Sequence, residues 1–220
     1  MKQFTRQHNK TKNKTRTNKT RTSKTTTNKT RKNKSKLIFT VDEYNSNEGM
    51  LTTVWGPSMW HFLHIMSFNY PNNPTSGDKK YYRNFVLNLQ NVLPCKYCRI
   101  NLKKNFKHLP LTINNMKNRN TFSLYIYKLH ELINKMLNKK SNLTYEDVKD
   151  RYENFRARCT IDKYKVYKKT IKKEKGCTEP LFGKKSKCVI KIVPQDKKCE
   201  TFQMDNECIK KRDISLHPET

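Results

Sequence analysis

From Trp55 to Cys159 apolar residues recur at helical intervals in segment after segment. Over 57–69, Trp60, Leu63, His64 and Ser67 fall at i, i+3, i+4 and i+7. They mark one face of a helix that Pro57 opens in its first turn and that ends before Pro71. Residues 78–92 place Tyr82, Phe85, Leu89 and Val92 on a second stripe, and Cys95, Cys98, Leu102 and Phe106 make a third. The longest run, 121–138, turns Phe122, Tyr125, Leu129, Leu132 and Met136 inward, and a fifth, 144–157, carries Tyr145, Val148, Tyr152 and Phe155. The segments YPNNPTSGD and HLPLTINN supply Pro, Asn and Gly where connections are needed. The pattern predicts an all-α fold: a four-helix bundle with a short fifth helix over residues 55–159.

The flanks read differently. Residues 37–54 are a mixed linker with a short apolar start, LIFTV. Residues 160–220 form a Lys-rich connector and then a small appendage, in which Cys177, Cys188, Cys199 and Cys208 surround one predicted strand, CVIKIV. Structural pairing among those four is the expected arrangement, and with seven cysteines in all at least one is left over within the chain.

Charge separates one more region. The chain has 220 residues with 48 Lys or Arg against 18 acids, a net +30. Residues 1–36 hold 14 of those cations and no acid, set among Thr, Asn and Ser. Such a segment has too little apolar surface to offset its ordering entropy, so disorder is expected. It reads either as an arm that meets nucleic acid or another polyanion through phosphate charge, or as a solubilising tail. With no apolar run for a secretory signal or a membrane span, a cytoplasmic protein that does not engage a membrane is expected. Static disulfides are then a poor explanation for seven cysteines. Only 5 glycines, none in a phosphate-loop or dinucleotide pattern, argue against those nucleotide sites.

The candidate chemistry lies in PCKYC. Cys95 and Cys98 have the spacing of half a zinc site, of a redox dithiol, or of two buried thiols. Zinc needs a second closely spaced ligand pair, and none follows; no metal is expected. A thioredoxin setting needs a preceding strand, whereas YYRNFVLNLQNVL is helical in pattern. A dithiol at a helix start remains: the positive end of the helix favours the thiolate, and two intervening residues bring both sulfurs within bonding reach. A dithiol alone only passes electrons, and an all-helical oxidase would need a cofactor.

WGPSMWHFLHIMSFNYP, then PCKYC, then HELINKMLNKK resembles the Erv/ALR family of FAD-linked sulfhydryl oxidases, over about residues 55–158 and most like its members from large DNA viruses. The resemblance implies FAD held non-covalently by a helical bundle with the dithiol against its ring. By position it assigns cofactor contacts to Gly56, Trp60 and His64 on the first helix, to His130, Asn134 and Lys139 on the later one, and to Tyr152 at the adenine end. Aromatic and imidazole faces suit a flat ring, and Lys suits a pyrophosphate. Four departures stand out: Glu131 for the usual Asn, Asn138 for a Gly, no Arg at the start of the first helix, and Tyr127 where many relatives carry a structural Cys. That last change leaves the structural disulfide missing or Cys159 in another role.

The implied reaction runs from a substrate dithiol through catalytic Cys95 and Cys98 to FAD and O2, giving a disulfide and H2O2. Substrate attack is expected at Cys95, although the two sulfurs' roles are open to exchange. Any shuttle thiols must come from Cys177, Cys188, Cys199 or Cys208. The implied partners are protein dithiols or a thioredoxin-like relay and a second copy of the chain in a homodimer, in infected-cell cytoplasm or virion. The alternative from another class is a basic nucleic-acid-binding or virion structural protein with an inactive oxidase-like bundle.

Overall fold

In the computed structural model, the described residues are 39–167, 170–181, 183–199 and 202–208. The chain divides into two units, residues 1–41 and 42–220. The basic segment of residues 1–36 lies outside the described residues.

After a short helix α1 (Val41–Asn45), five helices follow: α2 (Thr52–Phe68), α3 (Ser76–Val92), α4 (Lys96–His108), α5 (Arg119–Met136) and α6 (Tyr145–Glu153). The connection containing HLPLTINN includes a 3-10 turn at Ile113–Met116. Helix α2 begins five residues before the expected start, so Pro57 lies in its second turn. Leu51 offers no side-chain cap. Instead the Trp55 indole N–H donates to the Met50 carbonyl at 3.2 Å and fastens the early start. Helices α3 and α6 start at reciprocal caps, Thr75 with Asp78 and Thr144 with Asp147, and Asn118 with Thr121 does the same for α5.

Helices α2 and α5 pack as the central pair, with α3 against α4 and α6 against α2 and α5. Tyr70, Val86, Met116, Phe122 and Ile126 are fully enclosed, and Tyr125 and Leu129 nearly so. Each such side chain contributes roughly 1.5–3 kcal/mol by leaving water. Tyrosines can join this core because their hydroxyls find acceptors. Tyr70 donates to the Met116 carbonyl at 3.0 Å and Tyr125 to the Leu109 carbonyl at 2.9 Å.

The α3 stripe is corrected: Tyr82, Val86 and Leu89 face inward, whereas Phe85 and Val92 are 41% and 67% exposed. Phe85 meets Phe62 of α2 edge-on at 6.0 Å on the outer surface. Met136, expected inward at the end of α5, is also exposed.

The C-terminal region overturns three expectations. The Lys-rich connector is an antiparallel hairpin, β1 (Ala157–Tyr167) with β2 (Thr170–Pro180). Its sequence interleaves lysines with Tyr, Val, Thr and Ile, a strand alternation that the lysine count conceals. CVIKIV takes no regular conformation; among the described residues no strand pairs with it, and a lone strand does not hold itself. Cys159 and Cys177 face each other across the hairpin and are disulfide-bonded. Cys177 therefore leaves the expected set of four, and Cys188, Cys199 and Cys208 are free thiols.

Candidate active site

Cys95 and Cys98 are disulfide-bonded, with Cα atoms 5.1 Å apart. Cys95 is the N-cap of α4, and its sulfur accepts from the Cys98 N–H at 3.2 Å. The proline before it and the helix after it place the pair at the positive end of α4, where a thiolate is favoured. Helix α4 itself carries Lys96, Arg99, Lys103, Lys104 and Lys107 and no acid.

The two sulfurs face different neighbours. Cys98 Sγ lies 3.8 Å from Thr52 Oγ1, in the first turn of α2. Thr52, Gly56, Trp60 and His64 then succeed one another at i+4 steps, a single face of α2. A Cβ at Gly56 would meet only Thr52 Cγ2, at 3.7 Å, so the glycine leaves an open bay between Thr52 and Trp60.

Beyond the bay is a ring cluster. The Trp60 and His130 rings stack at 3.9 Å and 7°. His64 Nε2 and His130 Nδ1 are hydrogen-bonded at 3.0 Å, and Tyr152 stacks on His64 at 5.0 Å. Burial, reinforced by the neighbouring His130 and His61, lowers the His64 pKa to about 3. Burial likewise lowers His130 to about 4, with Glu131 pulling upward and Lys139 downward. Both rings are therefore neutral at pH 7. Burial holds the Tyr152 hydroxyl up at about 12. His64 Nδ1 is buried without a hydrogen-bond partner.

Asn134 and Lys139 sit one turn further along and just past α5. Asn134 Nδ2 donates to Glu131 Oε1 at 3.0 Å, Ser141 Oγ donates to the same oxygen at 2.8 Å, and the Lys139 N–H donates to the Asn134 carbonyl at 2.8 Å. Glu131 thus brackets the loop after α5. Asn138 has φ 54°, a left-handed conformation that Gly adopts freely and Asn tolerates. Lys135, Lys139 and Lys140 border an open depression of about 460 Å³ there. Tyr127 donates to the Leu143 carbonyl at 2.8 Å and ties α5 to the loop before α6.

Sequence reading missed His61, Phe202 and Thr52, and it placed Phe155 on the fifth stripe without a role at the site. His61 lies 5.5 Å from Tyr152 ring to ring, with Phe155 and Phe202 at 6.0 and 5.6 Å from His61. His61 falls outside the i, i+3, i+4 stripe, and Phe202 lies in the region read as an appendage. Only Thr52, eight residues before Trp60 on the same face, carried a periodic signal.

A Cys-x-x-Cys disulfide at a helix start, beside a glycine bay that leads to buried neutral rings, defines a helical-bundle dithiol protein. The Erv1/Alr family model matches residues 57–153. A probable FAD-linked sulfhydryl oxidase of Acanthamoeba polyphaga mimivirus is 36% identical over 93 residues, 42% of this chain and 64% of that protein. An FAD-linked sulfhydryl oxidase of African swine fever virus is 31% identical over 99 residues, 45% of this chain and 80% of that protein. The crystal structure of the yeast Erv1 core covers 56% of this chain and 96% of its own, at 20% identity and a TM-score of 0.43. The chain belongs to the Erv1/Alr family. Among the described residues no helix is long and apolar enough to cross a membrane.

Proposed function

We propose that the protein is an FAD-dependent thiol oxidase that forms disulfides in protein substrates. The observation that carries this reading is the contact of Cys98 with the start of the Thr52–Gly56–Trp60–His64 face, which joins a disulfide to a ring-lined bay. The residues fit the cofactor. The Gly56 bay is open, the unpartnered His64 Nδ1 suits a ligand's polar edge, and Lys135, Lys139 and Lys140 suit a pyrophosphate. Trp60, His64, His130, Asn134 and Tyr152 would complete the site. Trp60 and His130 stack on each other and would present that pair to the flat ring of the cofactor. When bound, FAD accepts the electron pair of the reduced dithiol and delivers it to O2, with H2O2 as product.

The chain's own residues account for the thiol steps. A substrate thiolate attacks Cys95 Sγ, the Cys95–Cys98 bond breaks, and Cys98 leaves as a thiolate. Its position beside Thr52 keeps that sulfur on the α2 side, which supports Cys98 as the inner and Cys95 as the outer member. A second substrate thiolate then displaces Cys95, which releases the substrate disulfide and leaves the protein dithiol. The neutral imidazoles place no fixed positive charge in the bay.

Residues 55–159 are the oxidase unit in this reading, and its substrates are protein dithiols or a thioredoxin-like relay in infected-cell cytoplasm or virion. Phe62, Ile65, Phe85 and Val92, exposed on the outer faces of α2 and α3, support a homodimer through these helices. Purified protein should absorb in the blue as a flavoprotein and consume O2 with dithiothreitol. A colourless protein without O2 uptake overturns the reading and favours a binding protein with an inactive bundle.

A further inference from the structure

Ahead of α2 the chain makes a contact that the proposed reaction leaves without a role. Residues Asn47–Met50 cross the Cys95 end of the dithiol loop, with Gly49 paired antiparallel to Cys95. The Met50 N–H donates to the Pro94 carbonyl and the Lys96 N–H to the Glu48 carbonyl, both at 2.7 Å. Main-chain bonds thus clamp both neighbours of Cys95. Lys96 Nζ reaches Glu48 Oε1 at 2.9 Å, and Arg99 donates to the Leu93 carbonyl at 2.6 Å and to the Asn47 carbonyl at 3.4 Å. The Trp55 indole holds the same strap from α2 through the Met50 carbonyl. One short segment therefore couples the start of α2 to the loop that bears the disulfide.

The fit depends on residue 49. Gly49 has φ 146°, and a Cβ there would stand 2.7 Å from Cys95 Cα and 2.9 Å from the Pro94 carbonyl oxygen. Both are backbone atoms, so a side chain must push the strap away.

We propose that Gly49 is a positioning residue for the Cys95–Cys98 dithiol, because it lets the 47–50 strap close on Cys95 and hold the backbone in which the disulfide forms. The inference rests on the redox reading of that pair. Closing a disulfide within one chain depends on how well the two thiols are held at bonding separation. With the strap seated, Cys95 is fixed on both sides. Without it the dithiol gains freedom, the disulfide does not, and reduction becomes easier.

The test equilibrates full-length protein with graded ratios of reduced and oxidised glutathione. Quenching, alkylation and peptide mass spectrometry then read the Cys95–Cys98 disulfide fraction. Gly49→Ala is expected to lower the equilibrium constant for disulfide formation about tenfold, the effect of lost pre-organisation. Glu48→Gln, which removes the ion pair and leaves the main-chain bonds, should change it less than about twofold. A Gly49→Ala constant within about twofold of wild type overturns the proposal. An equal shift in Glu48→Gln also overturns it, since the effect then belongs to the charge at Lys96. Amide exchange on the unmodified protein needs no variant to fold: the Met50 and Lys96 N–H groups should be protected, and exchange at the open-chain rate removes the strap. If the wild-type pair shows no glutathione-dependent equilibrium, the oxidase reading fails and takes this proposal with it.

Discussion

The helical bundle and the C-terminal hairpin each carry one disulfide, and the two bonds have opposite surroundings. Cys95–Cys98 sits half-buried at a helix start against α2. Cys159–Cys177 lies exposed across two strands. Every buried side chain among the described residues falls between Leu63 and Val148, so the bundle is held by its core. The hairpin has main-chain pairing and its cross-strand bond. The contrast teaches that a cysteine's role follows from what surrounds the sulfur: in the proposed reaction the half-buried bond opens and closes, and the exposed one takes no part.

The comparison breaks most sharply at the sulfurs. Cys95→Ser or Cys98→Ser should lower O2 uptake with dithiothreitol by about a thousandfold or more, since the thiol steps act as a unit, while flavin absorbance is kept. Cys159→Ser with Cys177→Ser should leave that rate within about threefold. A comparable loss in both would erase the distinction.

Stability separates the regions next. Phe122→Ala, at the centre of the core, is expected to cost about 3–5 kcal/mol in urea unfolding. Val189→Ala, in the exposed CVIKIV segment, should stay within about 0.5 kcal/mol.

Acid should act through the bundle. His64 and His130 have folded pKa values of about 3 and about 4, below their ordinary value of 6.5. Between those values and 6.5 the unfolded chain binds protons that the folded chain refuses. Their contribution is therefore complete above about 6.5 and is lost as pH falls toward 4. The thermal midpoint should drop across this window, and His64→Gln with His130→Gln should flatten that drop. A midpoint independent of pH from 7 to 4 would contradict the buried neutral pair.

The smallest loss expected within the bundle concerns a helix start. Thr144→Ala removes the reciprocal cap of α6 and should cost about 1 kcal/mol by denaturant titration. It sharpens the comparison because α6 carries Tyr152 into the ring cluster and leads directly into β1.

Much of the bundle was legible because its signals are local. The i, i+3, i+4 spacing of Leu63, His64 and Ser67 identified the buried face of α2, and Pro94 before Cys95 marked the start of α4. Phe85 and Val92 were misplaced because period alone cannot tell an inward stripe from an outward one beside it. The hairpin was missed because lysines alternate with its β-formers, and CVIKIV was overread because strand character needs a partner strand to become structure. His61 and Phe202 join the cluster only through contacts across the chain, with Tyr152 distant from both in sequence. Gly49 carried no signal, since its constraint comes from the backbone of Cys95, 46 positions away.

The exposed cross-strand bond has a consequence for the age of each molecule. A newly made chain has Cys159 and Cys177 as thiols, and the reaction proposed for the bundle is the kind that joins them. The state of that bond therefore separates chains in which it has formed from chains in which it has not. Pulse-labelled chains, trapped with an alkylating reagent at successive times, would show how soon after synthesis those two sulfurs are joined.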